Sequence, residues 1–152
     1  MPQEDIHIAK KLLKEHIENN KLRMIPKRFS ILEHIYSYEE KHFRVDSLYE
    51  YMQKQGCKTS RATLYNTMDL LLDAKLIKKH QFLPGVSVYE RFVNKKTHHH
   101  YICTKCGRIQ DLRDEGVIST AVQTKRIAKF KQTGFSLCIY GICSACAKDD
   151  SR

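Results

Sequence analysis

The run His98-His99-His100-Tyr101-Ile102-Cys103-Thr104-Lys105-Cys106-Gly107 packs three imidazoles and half of a thiolate metal site into ten residues. A second pair, Cys143-Ser144-Ala145-Cys146, lies near the C-terminus. Two Cys-x-x-Cys knuckles supply four soft thiolates, the number and type that close a tetrahedral structural zinc site. Their separation exceeds that of the compact zinc fingers, so a folded segment must lie between them. The competing readings are two disulfides or four unrelated core thiols. The N-terminus, Met1-Pro2-Gln3-Glu4-Asp5, is acidic and lacks a signal-peptide core, so a cytoplasmic chain with reduced thiols is expected, which favours metal.

Composition sets the frame around that site. A chain of 152 residues is one domain or two small ones. It is 41% hydrophobic, and no apolar run is long enough to cross a bilayer, so no membrane partner is expected. The formal net charge of +10 suggests a polyanionic partner such as nucleic acid. Its distribution does not identify the binding half: residues 1–84 carry 15 Lys+Arg against 11 Asp+Glu, and residues 85–152 carry 12 against 6. Periodicity has to do that.

Ile6, Ala9, Leu12, Leu13 and Ile17 form one helical stripe that ends near Asn19-Asn20. Pro26 suits the first turn of a second helix with Phe29, Leu32, Ile35 and Tyr36 inward, stopping between Tyr38 and Lys41. A third helix is predicted after Asp46 as N-cap, carrying Leu48, Tyr51 and Met52 and ending at Gly56 as a left-handed cap. Ser60 caps a fourth, from Arg61 to about Ala74, burying Leu64, Met68, Leu71 and Leu72 and exposing Arg61, Ala62, Tyr65, Asn66 and Asp69. Leu76–Phe82 and Val86–Phe92 read as strands joined at Pro84-Gly85. Three helices and a hairpin make a winged helix-turn-helix, in which the helix after the turn enters the major groove of double-stranded DNA. The plainer alternative is a small helical core with a polar surface.

From His98 the pattern changes to strand, strand, helix (Thr120 to Phe130) and a last strand from Phe135 to Tyr140 before the second knuckle. The expected fold is therefore α+β: a winged helix over residues 1–92 and a small, zinc-stapled α+β domain over 93–152. Strand alternation puts His98 and His100 on one face and His99 on the other. A His-x-His pair needs hard partners, and Glu90 and Asp111 are at hand; such imidazole and carboxylate donors suit Fe(II), Mn(II) or Zn(II) held reversibly. The alternative is a polar strand end with no metal.

Arg23-x-x-Pro26-x-Arg28-x-x-Ile31-Leu32, Ser60-x-Ala62-Thr63-Leu64-Tyr65, Tyr89-Glu90, the His98–Gly107 run and Tyr140-Gly141-x-Cys143-x-x-Cys146 together resemble the ferric uptake regulator family, from about residue 6 to residue 146. The resemblance implies a homodimeric, metal-responsive transcription factor, a repressor acting on a DNA operator. It implies Cys103, Cys106, Cys143 and Cys146 as structural zinc ligands, and His42, Glu90, His98, His100 and Asp111 as ligands of a regulatory Fe(II), Mn(II) or Zn(II). His42 enters this set through the resemblance alone. DNA contacts are expected from Arg28, Ser60, Arg61, Thr63, Tyr65 and Asn66, with Lys78, Lys79 or Arg91 supporting from the wing.

The chain also departs from the family pattern. Thr97 stands where many members carry histidine, and the usual histidine before the last strand is missing, so a third metal site is expected to be absent or incomplete. Leu64 and Asn66 replace the common valine and arginine of the reading helix, which leaves operator preference open. Glu90 leans toward iron sensing and Asp111 toward peroxide sensing, so peroxide- and zinc-sensing members are alternatives. A zinc hydrolase with Glu90 as general base is another, although no substrate pocket is legible. Cys57 and Cys138 read as packing residues.

Overall fold

The computed structural model describes residues 2–93, 98–113, 116, 119, 131 and 133–149. The predicted helix from Thr120 to Phe130 lies outside them. The chain divides into two compact units, Met1–Lys95 and Lys96–Arg152. Among the described residues no helix is long and apolar enough to cross a membrane.

The first unit contains α1 (Pro2–Asn19), α2 (Pro26–Ser37), β1 (His42–Phe43), α3 (Val45–Lys54), α4 (Arg61–Asp73), β2 (Ile77–Leu83) and β3 (Val86–Arg91). Its core joins Ala9, Leu13 and Ile17 of α1 to Ile31, Leu32 and Ile35 of α2, Leu48 and Met52 of α3, and Leu64, Met68 and Leu71 of α4. Leu12, placed on the buried stripe by its spacing, is 41% exposed. A stripe that packs mainly against α2 buries i, i+4 and i+8 and leaves its flank in water.

Helix boundaries follow from local chemistry. Pro26 occupies the first position of α2, where its missing N–H costs nothing. Ser60 caps α4, its hydroxyl accepting the Thr63 N–H at 3.0 Å. Gly56, at φ +76°, ends the α3 segment, and its N–H donates to the Gln53 carbonyl. Asp46 is not the N-cap of α3; Arg44 is, without a side-chain cap. The reason is β1, which holds the chain extended against β3 up to Phe43 and lets the helix begin at Val45. Asp46 then sits in the first turn, where a carboxylate still complements the helix dipole.

The wing is a three-stranded sheet in the order β1-β3-β2, not the two-stranded hairpin expected. All pairs are antiparallel, with His42 opposite Glu90 on one side of β3 and Lys78 opposite Glu90 on the other. The hairpin turns at Gly85, whose φ of +70° suits glycine. Arg91, considered as a wing contact to DNA, turns inward: its Nη1 donates to the Tyr36 carbonyl at 3.0 Å and the Tyr38 carbonyl at 2.6 Å. Those carbonyls end α2 and need a donor, and the guanidinium supplies it. Tyr36 fixes the same corner through a 2.6 Å bond from its hydroxyl to the Leu76 carbonyl, and burial pushes that phenol up to about 12.

The second unit holds β4 (His99–Cys103), β5 (Ile109–Leu112), β6 (Cys138–Gly141) and a short α5 (Ser144–Asp149). The sheet order is β5-β4-β6, antiparallel for β4 with β5 and parallel for β4 with β6. The last strand is shorter than the sequence suggested, beginning at Cys138 and not at Phe135. Parallel pairing sends β4 and β6 in the same direction, so both knuckles emerge at the same end of the sheet.

Candidate metal centres and nucleic-acid interface

The first knuckle is a tight turn after β4. The Gly107 N–H donates to the Cys103 carbonyl, and the Cys103 N–H to the Arg108 carbonyl, both at 2.9 Å, while Gly107 takes φ +74°. The second knuckle opens α5, the Ala147 N–H donating to the Cys143 carbonyl. The Thr104 N–H bonds the Gly141 carbonyl and ties the two turns together.

This places the sulfurs of Cys103, Cys106, Cys143 and Cys146 all within 4.8 Å of one another, with Cys106 and Cys143 3.8 Å apart. A zinc ion at about 2.3 Å from four tetrahedral sulfurs sets them about 3.8 Å apart, so the cage fits the ion. Its electrostatics fit as well. Hydrogen bonds from the backbone at Cys106 and Cys143 draw the Cys103 thiol down to about 6, the Cys143 N–H lying 3.3 Å from its sulfur. Cys146 moves the other way, to about 12, because it shares hydrogen bonds with Cys143 and the other sulfurs. The Cys103 and Cys143 thiols are drawn down and Cys146 is pushed up, and a bound dication would favour the thiolate form of all four.

Each unit also carries imidazole beside carboxylate. In the first, Glu90 is 2% exposed, and His42 Nε2 lies 3.2 Å from its Oε2. The sequence did not single out His80, whose Nε2 donates to Glu90 Oε1 at 2.9 Å. In the second unit, the His98 and His100 rings are 4.8 Å apart and His98 Nε2 is 3.7 Å from Asp111 Oδ1, while His100 faces Asp111 across the β4–β5 ladder. These borderline and hard donors suit Fe(II), Mn(II) and Zn(II) equally.

His99 points to the other face and has a structural role. Its Nδ1 accepts the Leu137 N–H at 3.1 Å, its ring stacks on Phe135, and desolvation lowers its pKa. Cys57 is buried with its sulfur 3.8 Å from the Ser30 hydroxyl, and Cys138 is half-buried in β6.

On α4, the face carrying Arg61, Ala62, Tyr65, Asn66 and Asp69 is exposed, Tyr65 to 46%, and Thr63 is half-buried. Arg61 is engaged within the unit: its Nη1 lies 2.5 Å from Asp46 Oδ1, and its guanidinium sits 4.5 Å over the Tyr49 ring. Lys78 lies over the Phe92 ring at 3.8 Å, Lys79 is exposed, and Arg28 Nη1 donates to the Arg23 carbonyl.

A sequence model of the Ferric uptake regulator family matches residues 19–140. The ferric uptake regulation protein of Legionella pneumophila is 29% identical over 133 residues, covering 87% of this chain and 96% of that protein. The peroxide operon regulator of Bacillus subtilis is 30% identical over 143 residues, covering 92% and 97%. The solved structure of the Helicobacter pylori ferric uptake regulator, described as having three functional metal-binding sites, superposes with a TM-score of 0.82 at 18% identity over 93% of each chain and shares the fold. With a family match across most of its length, two compact units and a four-thiolate cage, this chain belongs to the ferric uptake regulator family of metal-responsive, DNA-binding transcriptional regulators.

Proposed function

We propose that the chain is a homodimeric repressor that binds an operator duplex when a regulatory divalent ion is held by His42 and Glu90 of the first unit and His98, His100 and Asp111 of the second. Such an ion would supply a positive charge beside a buried carboxylate. The observation that carries the reading is Glu90: a carboxylate 2% exposed inside a DNA-reading module is costly unless cations or donors compensate it, and His42 stands beside it. Cys103, Cys106, Cys143 and Cys146 hold a separate structural zinc. Fe(II), Mn(II) and Zn(II) all suit the regulatory donors. An anaerobic titration of duplex binding against each metal tests the reading, and binding indifferent to all three overturns it.

A peroxide response is the second reading, favoured by Asp111 beside His98 and by the likeness to the Bacillus subtilis regulator. It requires that hydrogen peroxide abolish DNA binding of the Fe(II)-loaded protein and spare the Mn(II)-loaded one. Family membership weighs against the zinc-hydrolase alternative.

DNA contact centres on the exposed face of α4, through Ser60, Arg61, Thr63, Tyr65 and Asn66, with Arg28, Lys78 and Lys79 supporting. Arg61 must leave Asp46 to reach a phosphate or base. An exposed ion pair is worth about 0.2–1 kcal/mol, less than the about 1–3 kcal/mol of a good base contact, so the exchange favours DNA. Replacing Tyr65 and Arg61 together with Ala is expected to weaken operator binding by about 1–3 kcal/mol for each side chain that reads a base edge, as measured by fluorescence anisotropy on a palindromic duplex. Unchanged affinity in the folded double variant would move the DNA-reading surface elsewhere.

Dimerisation is assigned to the outer face of the second unit. Tyr101 and Ile139 are register partners on β4 and β6, 42% and 36% exposed, with Ile142 beyond them at 51%. Neighbouring apolar side chains of that size in water mark an interface. Tyr101→Glu with Ile139→Glu is expected to give a monomer by light scattering that still holds its zinc; a dimer of wild-type mass would place the interface on another face.

A further inference from the structure

Glu90 is the centre of a three-strand arrangement that the regulatory reading uses only in part. It lies on the middle strand of the wing sheet, with His42 directly opposite on β1. On the other side, Lys78 is directly opposite and His80, two residues along β2, is the diagonal neighbour on the same face. The two imidazoles divide the carboxylate between them. His42 Nε2 lies 3.2 Å from Oε2, and His80 Nε2 lies 2.9 Å from Oε1.

We infer that His80 is a positioning residue for Glu90: it holds Oε1 so that Oε2, beside His42, is the oxygen offered to the regulatory ion. The inference rests on the reading of Glu90 and His42 as regulatory ligands. An ionised carboxylate only accepts hydrogen bonds, so Nε2 of His80 must carry the proton in that bond, and a protonated nitrogen has no lone pair for a metal. The two histidines therefore have different roles although they flank the same group.

The surroundings of His80 support a fixed donor. Its ring stacks on Phe82, with centroids 4.7 Å apart and planes 11° from parallel, and its side chain is 19% exposed. Stacking of this kind restrains the ring without sealing it from water. Glu90 itself is 2% exposed, so its orientation is decided by protein groups and not by solvent. Hydrogen-bond partners of ligating side chains fix their rotamers and tune metal affinity, and removing one typically costs about 10–100-fold. The wing thus contributes to the metal response through β2 as well as through Glu90, and the sheet that flanks the DNA-reading helix has one of its strands tied to the ligand.

The test uses the full-length, zinc-loaded protein and Co(II) as the probe, followed by absorption in the d–d region with a competing chelator to give affinity. His80→Ala is expected to weaken Co(II) binding at the regulatory site about 10–100-fold, with the band position and intensity of the saturated site unchanged, because the ligands themselves are intact. His80→Gln, whose amide nitrogen can reach Oε1 as a donor, is expected to recover most of that loss. Zinc content and the thermal transition of the metal-free wing should match wild type in both variants. Wild-type Co(II) affinity in His80→Ala overturns the inference. A saturated spectrum that changes coordination number in His80→Ala also overturns it, by making His80 a ligand. If wild type itself binds no Co(II) beyond its structural zinc, the regulatory reading fails first and this inference falls with it.

Discussion

Serine at Cys103 or Cys143 is expected to release the structural zinc and to leave the second unit unfolded and the chain largely monomeric. The described residues of that unit bury little else to hold it. Among its described residues the buried apolar side chains are Ile102, Cys103 and Leu112, and α5 buries none, whereas the extensive core of Ala9 through Val93 belongs wholly to the first unit. Structural zinc contributes on the order of 10–16 kcal/mol of apparent binding free energy near pH 7, comparable to or larger than the net stability of about 5–15 kcal/mol typical of a whole domain. A serine hydroxyl is neutral and hard, and it cannot replace a thiolate. Zinc content by mass spectrometry, far-UV circular dichroism and light scattering read the outcome. A stable, zinc-free dimer of either variant would show that zinc is dispensable to the fold. The helices of the first unit should still melt cooperatively, since none of their core residues lies beyond Val93.

Where the chain repeats a period over several turns, sequence and structure agree in the main, Leu12 of α1 being an exception. On α4, buried Leu64, Met68 and Leu71 and exposed Arg61, Ala62, Tyr65, Asn66 and Asp69 follow from spacing, and the Ser60 cap from residue type, whereas Leu72 is only half-buried and Thr67 and Leu70 are buried in addition. Elements too short to repeat are not legible. Two-residue β1 has no period, yet its pairing with β3 places His42 opposite Glu90 and moves the start of α3 to Val45. Arg91 looked like a wing cation because an alternating strand says which face a side chain leaves from, not which carbonyl a long side chain will reach.

The two kinds of metal donor differ in the same way. Thiolate pairs announce themselves by spacing, because a knuckle is a local turn with its own hydrogen bonds. His80 and Glu90 are ten residues apart on neighbouring strands, and only the register of β2 with β3 brings them together. His42 carries no local signal at all, and resemblance to the family supplied it. His99, adjacent to two candidate ligands, differs from them by strand alternation alone, which turns it to Phe135 and the Leu137 N–H.

Replacing His98 and His100 together with Ala is expected to abolish the metal-dependent part of operator binding while zinc and the dimer persist. His100 leaves β4 on the face opposite His99, His98 just before the strand has its ring beside His100, and both lie by Asp111, whereas the four thiolates gather at the far end of the strand and share none of these contacts. Under the proposed function, His42 and Glu90 stay behind in the first unit and keep too few donors for a tight divalent site. A ligand shifts a two-state equilibrium only by its differential affinity for the two states, and a tenfold change in the DNA-competent population needs about 1.4 kcal/mol of it. Losing one hydrogen-bond partner of a ligating side chain already costs about 10–100-fold in metal affinity, so losing two ligands exceeds that requirement. His100 is 1% exposed, and its removal leaves a void in the sheet, so His98→Ala alone serves as the milder variant and should lose a smaller share of the response. The measurement is operator affinity with and without added Fe(II) or Mn(II), on protein shown by zinc content and circular dichroism to be folded. Wild type should gain affinity on adding metal and the double variant should not. If the folded double variant answered to metal as strongly as wild type, the histidine pair would not be part of the sensor, and the imidazole–carboxylate pairs would have to be read as structural.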